Sequence, residues 1–416
     1  MTETKNIAVL FDFDGVVVDT ETQYSVFWHK MGVDYLGMED LESRVKGQTL
    51  MYIYDTFFPG MTKEREEITV GLDRFEQDMS YDFIPGVEEF IADLHRNGVK
   101  MAVVTSSNDK KMEAVSAEVK ANKKHDIALL LVTFGSTWDA PQETFKGMKE
   151  QFAKKFSNMD VYFSFTSEIC MTRCAAKGWN YYAPSFYLEA IGLAGYKTVC
   201  VQSLHVIPGE EYLRVQNSVK DFHYSGDHPE FGDIKVYLAG PLLESEDDVK
   251  EVATILHKNY KAKVDAGKIV TFMGHGNPEG WNYGNGNSRY TMLEEELQKT
   301  YSSNYFVATV DMEDNYVDNM ISRMQAAGKA SGDVICHPLM SIAGDHANND
   351  MKGGVSENDP EEGSWRYELN KAGYTCPLSN CDIKGLADYS EIVNVWISHM
   401  SAALQSEPMY DPDAEE

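Results

Sequence analysis

Positive charge is scarce in this chain: 37 lysines and arginines stand against 66 aspartates and glutamates, a formal net charge of −29 at pH 7 over 416 residues. Nucleic acid and anionic membrane surfaces need clustered Lys and Arg, so both are set aside as partners, and the acidity is read as a solubilising surface. Long apolar runs are missing as well. None approaches the roughly 18–20 residues of a bilayer span. The opening Met1-Thr-Glu-Thr-Lys-Asn6 leads straight into an apolar strand and does not resemble a signal peptide, so a cytoplasmic protein is expected. Cysteine is sparse. The six lie at 170, 174, 200, 336, 376 and 381, and neither Cys170-x3-Cys174 nor Cys376-x4-Cys381 has the two-residue spacing of a zinc ribbon, so reduced structural thiols are expected. A phosphate loop is also wanting. Gly192-Leu-Ala-Gly195-Tyr-Lys197-Thr198 lacks the four-residue glycine spacing, and no nucleotide cofactor is expected.

What is present is a hydrophobic fraction of 43% and a charged fraction of 25%, the balance of a folded protein with length for two or three domains. From Ile127 to the end, strand and helix signals alternate, which predicts parallel sheets with helices on both faces. Two histidines stand out. His275 lies in Met273-Gly274-His275-Gly276 and His346 in Ala343-Gly344-Asp345-His346, each after a short apolar run. Both are expected at the carboxyl edge of a parallel sheet, where open α/β folds place their sites. Neutral imidazole binds divalent metals and accepts protons, so the pair suggests metal handling coupled to proton removal. A histidine in a loop is more often structural; the matching contexts favour chemistry. Leu131-Val-Thr-Phe-Gly-Ser136 and Ile269-Val-Thr-Phe-Met-Gly274 form a short internal similarity, consistent with two α/β lobes facing one another across a cleft.

The front of the chain reads differently. Asp12-Phe-Asp14-Gly-Val-Val-Val-Asp-Thr20-Glu21 resembles the first motif of the haloacid dehalogenase superfamily, in particular its phosphoglucomutase-like phosphatases. The resemblance implies that Asp12 attacks phosphorus, that Asp14 is general acid/base and that Mg²⁺ is bound if the segment is active. Thr105-Ser106 matches the second motif, and residues 16–82 would be the helical cap. The later lysine and acidic pair are missing. Gly344-Asp345-x4-Asp350 has the acidic spacing but lies far beyond the usual separation. Two strands do not make a stable sheet, so residues 1–122 are read as a truncated, inactive dehalogenase-like segment.

Residues 127–404 resemble the CbiK-type sirohydrochlorin cobaltochelatases of anaerobic cobalamin (vitamin B12) biosynthesis. The matches are Leu130-Leu-Val-Thr-Phe-Gly-Ser136, Phe165-Thr-Ser167, Val201-Gln-Ser-Leu-His-Val-Ile-Pro-Gly-Glu-Glu-Tyr212 and Met273-Gly-His-Gly276. To these are added Pro338-Leu-Met340, Ala343-Gly-Asp-His-Ala-Asn-Asn-Asp-Met351 and Ser364-Trp365. The resemblance implies a lyase that inserts Co²⁺, its substrate metal, into a tetrapyrrole without ATP. His275 and His346 would bind the metal and take protons, with Glu211 assisting. A second acidic ligand falls on Asp311, where the family typically has Glu; aspartate is one methylene shorter. Asn277–Asn287, rich in Gly and Asn, looks like an insertion beside His275. His205 is left open between pocket lining and packing, and Glu211 has a helix cap as its alternative. His337, Trp365 and Tyr212 are read as structural or as pocket wall. Sirohydrochlorin is fringed with carboxylates while the protein is acidic, so the cleft must be locally basic or rich in donors.

The expected fold is therefore α/β: a class II chelatase-like pair of Rossmann-like lobes with a central cleft over residues 123–405, after the incomplete dehalogenase-like segment with its helical cap (1–122). An acidic, disordered tail (406–416) follows. Homo-oligomerisation, the preference among Co, Fe and Ni, and the basic residues of the cleft are not legible. Two rivals stand beside the chelatase: a phosphatase or phosphomutase using Asp12 and Asp14, and a non-catalytic tetrapyrrole or metal carrier.

Overall fold

The computed structural model describes residues 8–412 except 13–14, 47, 49, 62, 66–67, 69–70, 73–74, 76–78, 81, 98, 105–108, 279, 281 and 355–359. Asp14, Thr105 and Ser106 lie outside the described residues, as does the side chain of Asp12. The chain divides into two compact units, Met1–Lys110 and Lys111–Glu416.

In the first unit, β1 (Ala8–Asp12) pairs in parallel with β2 (Lys100–Val104) in a sheet of two strands. Phe11 is buried but Leu10, on the opposite face, is 70% exposed, as expected where a sheet lacks covering elements. The helices Glu21–Met31, Leu41–Val45 and Leu50–Phe57 form a separate core around Phe27, Trp28, Leu41, Ile53 and Phe58. An antiparallel bridge between Val18 and Phe83 ties together the two ends of this helical stretch.

The second unit holds two all-parallel sheets. β3 (Ile127–Thr133), β4 (Asp160–Phe165), β5 (Thr198–Ser203) and β6 (Lys235–Ala239) lie in the order β4-β3-β5-β6. β7 (Ile269–Gly274), β8 (Tyr305–Thr309) and β9 (Val334–Pro338) lie in the order β8-β7-β9. Central strands are buried along nearly their whole length (Ala128 through Val132, Ile269 through Met273), the pattern of parallel strands covered on both faces. The helix Glu246–Asp265 shows why the sequence folds so. Ser245 and Asp248 form a capping box, and Val249, Val252, Ala253, Leu256, Tyr260 and Val264 fall on one buried stripe. One apolar cluster contains residues of both sheets, from Leu129 to Phe272, together with Trp396 of the helix Ser390–Ala403. The two lobes thus share a core.

Two expectations are corrected. The helix Asp109–Asn122 was assigned to the front segment on its polar, lysine-rich surface, but Val115 and Val119 are fully buried against Leu130, Tyr187 and Ile191, and Tyr162 donates to the Val119 carbonyl at 3.2 Å. From Lys111 on it belongs to the second unit. Just after it, Asp160 accepts from the backbone amides of Lys124 and His125 at 2.8 and 2.9 Å, from the His125 ring at 2.8 Å and from the Tyr196 hydroxyl at 2.8 Å. Burial alone would raise that carboxyl, yet these donors hold it below the ordinary aspartate value. Within the tail, expected to be disordered, Tyr410 bridges antiparallel to Val236 and stacks on His223 at 3.9 Å between ring centroids, and Asp411 pairs with Lys235 at 3.0 Å. Among the described residues no helix is long and apolar enough to cross a membrane.

The attachment of the Asp109–Asn122 helix is testable. A 111–416 fragment should unfold at higher temperature than 127–416, and Val119→Asp should cost it roughly 3 kcal/mol or more, read by denaturant unfolding. Equal stability of the two fragments would remove the helix from the core.

Candidate active site

The three candidate metal-binding residues of the second lobe, His275, Asp311 and His346, lie beyond the carboxyl ends of its three strands. His275 immediately follows β7, Asp311 lies two residues past β8, and His346 follows β9 through the Leu339–Asp345 loop. The imidazoles of His275 and His346 meet with ring centroids 4.8 Å apart at an interplanar angle of 82°.

The β7 end is stitched to the β8 end by backbone bonds from Val310 and Asp311 to the His275 carbonyl, at 3.0 and 2.8 Å. Gly276 makes this crossing feasible. Its φ is +81°, and a Cβ there would stand 2.8 Å from the Met312 amide nitrogen. His275 Nδ1 lies 2.7 Å from the Gly276 carbonyl oxygen, an acceptor, so Nδ1 carries the proton. Asp311 Oδ2 is 3.6 Å from the same nitrogen.

His346 opens a turn of π-helix, Ala347–Met351, a geometry frequent at functional sites. Its Nδ1 lies 2.5 Å from Asp350 Oδ2, so it too donates from Nδ1 and leaves the Nε2 lone pair free. The Asp350 hydrogen bond raises the His346 pKa above the ordinary histidine value; burial opposes this, while the charges of Asp350, Asp311 and Asp345 add to it. The fully buried Arg366 braces the end of the turn, its guanidinium donating to the Lys352 carbonyl at 2.7 Å and the Gly353 carbonyl at 3.3 Å. The Ser364-Trp365 segment before it packs so closely that a Cβ on Gly353 would meet Ser364 Oγ at 2.1 Å.

Glu211 belongs to the first lobe, in the first turn of the helix Glu210–His223 beyond β5. The N-cap of that helix is Gly209, and the Glu211 carboxylate instead accepts from Thr166, at the end of β4, at 2.5 Å, with Arg214 Nε 3.7 Å away. The capping alternative is thereby removed. His205 is buried, its Nδ1 2.9 Å from Ser203 Oγ and its Nε2 4.0 Å from Glu211. Burial lowers its pKa, with Glu211 only partly offsetting this. The Gly/Asn-rich segment 277–287 joins the two regions. Asn277 and Asn287 are buried and exchange bonds at 2.9 and 2.7 Å, and a Cβ on Gly209 would stand 2.6 Å from Asn277 Nδ2. The loop after His275 is therefore laid against the turn that precedes Glu211.

Sequence reading missed three contributors. Asp350 falls within a stretch that matches the chelatases and has a dehalogenase-like spacing to Asp345, but neither gives it the role of partner to His346. Trp138 reaches across from the first lobe, its indole N–H donating to Asp345 Oδ1 at 2.7 Å, and Arg173 lies 4.0 Å from the same carboxylate. Phe134, just past β3, and Ile169, in the helix Glu168–Ala176 that follows β4, are 43% and 60% exposed. No signal in the sequence pairs positions so far apart. His337 is structural as expected: fully buried, 3.2 Å from the Tyr389 hydroxyl, its pKa pushed down to about 4 by burial. Trp365 is buried, and all six cysteines are free. Among the described residues no three His, Cys, Asp or Glu side chains group so as to hold a metal ion, so His275, Asp311 and His346 do not form a closed three-ligand set.

Comparison with known proteins gives the family. The sequence model of the cobalt chelatases (CbiK) matches residues 127–405, and the chain belongs to that family. The haloacid dehalogenase-like hydrolase model matches residues 9–152. Sirohydrochlorin cobaltochelatase CbiKC of Nitratidesulfovibrio vulgaris is 28% identical over 279 residues, 67% of this chain and 90% of that protein. Sirohydrochlorin cobaltochelatase of Salmonella typhimurium is 28% identical over 281 residues, 67% of this chain and 96% of that protein. Among solved structures, SirB from Bacillus subtilis with Fe³⁺ overlaps with a TM-score of 0.46 at 14% identity, over 69% of this chain and 99% of that one. The sirohydrochlorin chelatase SirB from Bacillus subtilis subspecies spizizenii in complex with cobalt gives 0.43 at 13% identity, with the same coverage.

The His346–Asp350 contact has a direct readout. In metal-free protein, NMR titration should show His346 keeping its proton to higher pH than an ordinary histidine, because the carboxylate favours the imidazolium. Asp350→Asn should bring the midpoint down. An unchanged midpoint in that variant would mean that the contact is not made in solution.

Proposed function

We propose that this protein inserts Co²⁺ into sirohydrochlorin without ATP. The observation that carries the reading is the pair of facing imidazoles, His275 and His346, at one sheet edge in a chain of the cobalt chelatase family. Similarity over two thirds of the chain to proteins named sirohydrochlorin cobaltochelatase supplies the substrate.

Insertion requires that the ion shed water, that two pyrrole N–H bonds break, and that the macrocycle be held against the metal. His275 and His346, with Nδ1 engaged, offer Nε2 lone pairs to the incoming ion. Two imidazoles leave the other coordination positions to water and then to the pyrrole nitrogens. Asp311, beside His275, balances the charge of the ion, its shorter arm making it a partner at longer range than a glutamate. As each N–H breaks, the electron pair stays on nitrogen and bonds the metal; one proton passes to the Glu211 carboxylate and the other to an imidazole freed as the metal moves on. Trp138 and Phe134 supply a flat apolar surface for the macrocycle, and Arg173 and Arg214, on the helices that follow β4 and β5, meet its carboxylates. These local cations answer the conflict between an acidic protein and a polyanionic substrate.

An anaerobic optical assay with sirohydrochlorin and Co²⁺ tests this. His275→Ala and His346→Ala should each lower the insertion rate roughly 100-fold or more, while Asp12→Asn stays at the wild-type level. Trp138→Ala and Arg173→Ala should raise KM for the tetrapyrrole with kcat little changed. Asp311→Ala should weaken apparent Co²⁺ affinity and Asp311→Glu be tolerated. Normal insertion by both histidine variants would sink the site assignment; loss of activity in Asp12→Asn would move the chemistry to the front of the chain.

A further inference from the structure

Within the first lobe, a buried polar atom without a partner faces Glu211, the carboxylate proposed to take a proton. His205 is 8% exposed, and its Nε2 makes no hydrogen bond. Burying such an atom unpaired is unfavourable, so its persistence calls for a partner in some other state of the site. It faces Glu211 Oε2 at 4.0 Å.

We infer that His205 is a positioning residue for Glu211: its Nε2 lone pair waits for the O–H that Glu211 gains when it takes a pyrrole proton. This role rests on the proposed chelatase reading. The tautomer follows from the surroundings. Ser203 Oγ accepts from the His205 backbone amide at 3.4 Å and lies 2.9 Å from Nδ1, so Nδ1–H donating to the hydroxyl satisfies both groups. Nε2 is then a bare acceptor. Two acceptors, an imidazole lone pair and a carboxylate, are held apart, which accounts for the 4.0 Å gap; an Nε2–H would instead be drawn onto the carboxylate.

The other groups around the pair fit this assignment. Thr166 donates to Glu211 Oε2, and the Trp396 indole N–H is committed to the His205 carbonyl at 3.3 Å. The charged groups beyond are Arg214, 3.7 Å from Glu211 Oε1, and Glu210, which pairs with the same arginine. Neither reaches the imidazole in the pairs observed. The balance is simple. The pyrrole N–H breaks with its electron pair left on nitrogen for the metal, and an O–H forms on Glu211. That O–H closes onto His205 Nε2 as a hydrogen bond, and the proton leaves to water from the part-exposed carboxyl when the product departs. His205 itself is never charged, in keeping with its burial.

The test combines kinetics with a readout independent of turnover. His205→Asn keeps a group near Nδ1 but loses the Nε2 acceptor, whereas His205→Gln carries an amide oxygen into that position. His205→Asn should lower kcat for cobalt insertion roughly tenfold with KM unchanged, His205→Gln should recover part of it, and Glu211→Gln should lose no more activity when combined with His205→Asn. Nitrogen NMR of the metal-free, substrate-free wild type should show His205 protonated at Nδ1 alone. An active wild type in which His205→Asn keeps its kcat, in which the two losses add, or in which Nε2 carries the proton, overturns this role and leaves the chelatase reading standing. A wild type that inserts no cobalt overturns the chelatase reading and the role with it.

Discussion

Each of the two facing histidines donates its Nδ1 proton to a protein oxygen, and the rest of the site is arranged around that constraint. One acceptor is the next residue's carbonyl, the other a carboxylate four residues on. An imidazole fixed in this way has one nitrogen for the protein and one for the outside. To hold both in place the fold needs a rigid edge, supplied by three parallel strands buried on both faces, and a loop pinned by a glycine that admits no side chain. The wide π-turn at His346 follows from the same need, since it brings residue 350 back under the ring, and the buried Arg366 keeps the turn from relaxing.

The division of labour between the lobes follows from chain direction. Parallel strands present all their carboxyl ends at one edge, so each lobe offers a row of loops in which chemistry can vary while the core stays constant. The second lobe's row carries the imidazoles and Asp311. The first lobe's row carries Glu211, His205, the exposed aromatics and the cations. A shared apolar core that includes Trp396 couples the rows, so the acid and the imidazoles are positioned by one body of packing.

How much of this was legible depended on whether the signal was local. The strand-end histidines were readable because an apolar run ending in Gly-His or Gly-Asp-His is a local pattern. The succession of parallel strands was readable for the same reason. Contacts between distant segments were not: Trp138 finds Asp345 across 207 residues, and nothing near either position announces it. The helix 109–122 reads as part of the front segment because its buried valines, Val115 and Val119, are set in a lysine-rich surface that looks solvated. The tail's acidity and proline suggest disorder, whereas the bridge of Tyr410 to Val236, its stacking on His223 and the Lys235–Asp411 pair hold residues 410–411 in place. Asp350 was hidden by a competing motif, its spacing to Asp345 drawing attention from its spacing to His346.

That tyrosine has a consequence for how the molecule behaves among its own copies. β6 is the outer strand of its sheet, and an outer strand presents unpaired amide and carbonyl groups on which another chain can build. The exchange of backbone bonds between Val236 and Tyr410, closed by the ion pair of Lys235 with Asp411, occupies that edge with the protein's own C-terminal segment. Residues 410–411 thereby act as a selvedge on the sheet. Displacing this segment would bare a template for intermolecular strand pairing on the first lobe's sheet, and the damage would show as loss of colloidal solubility.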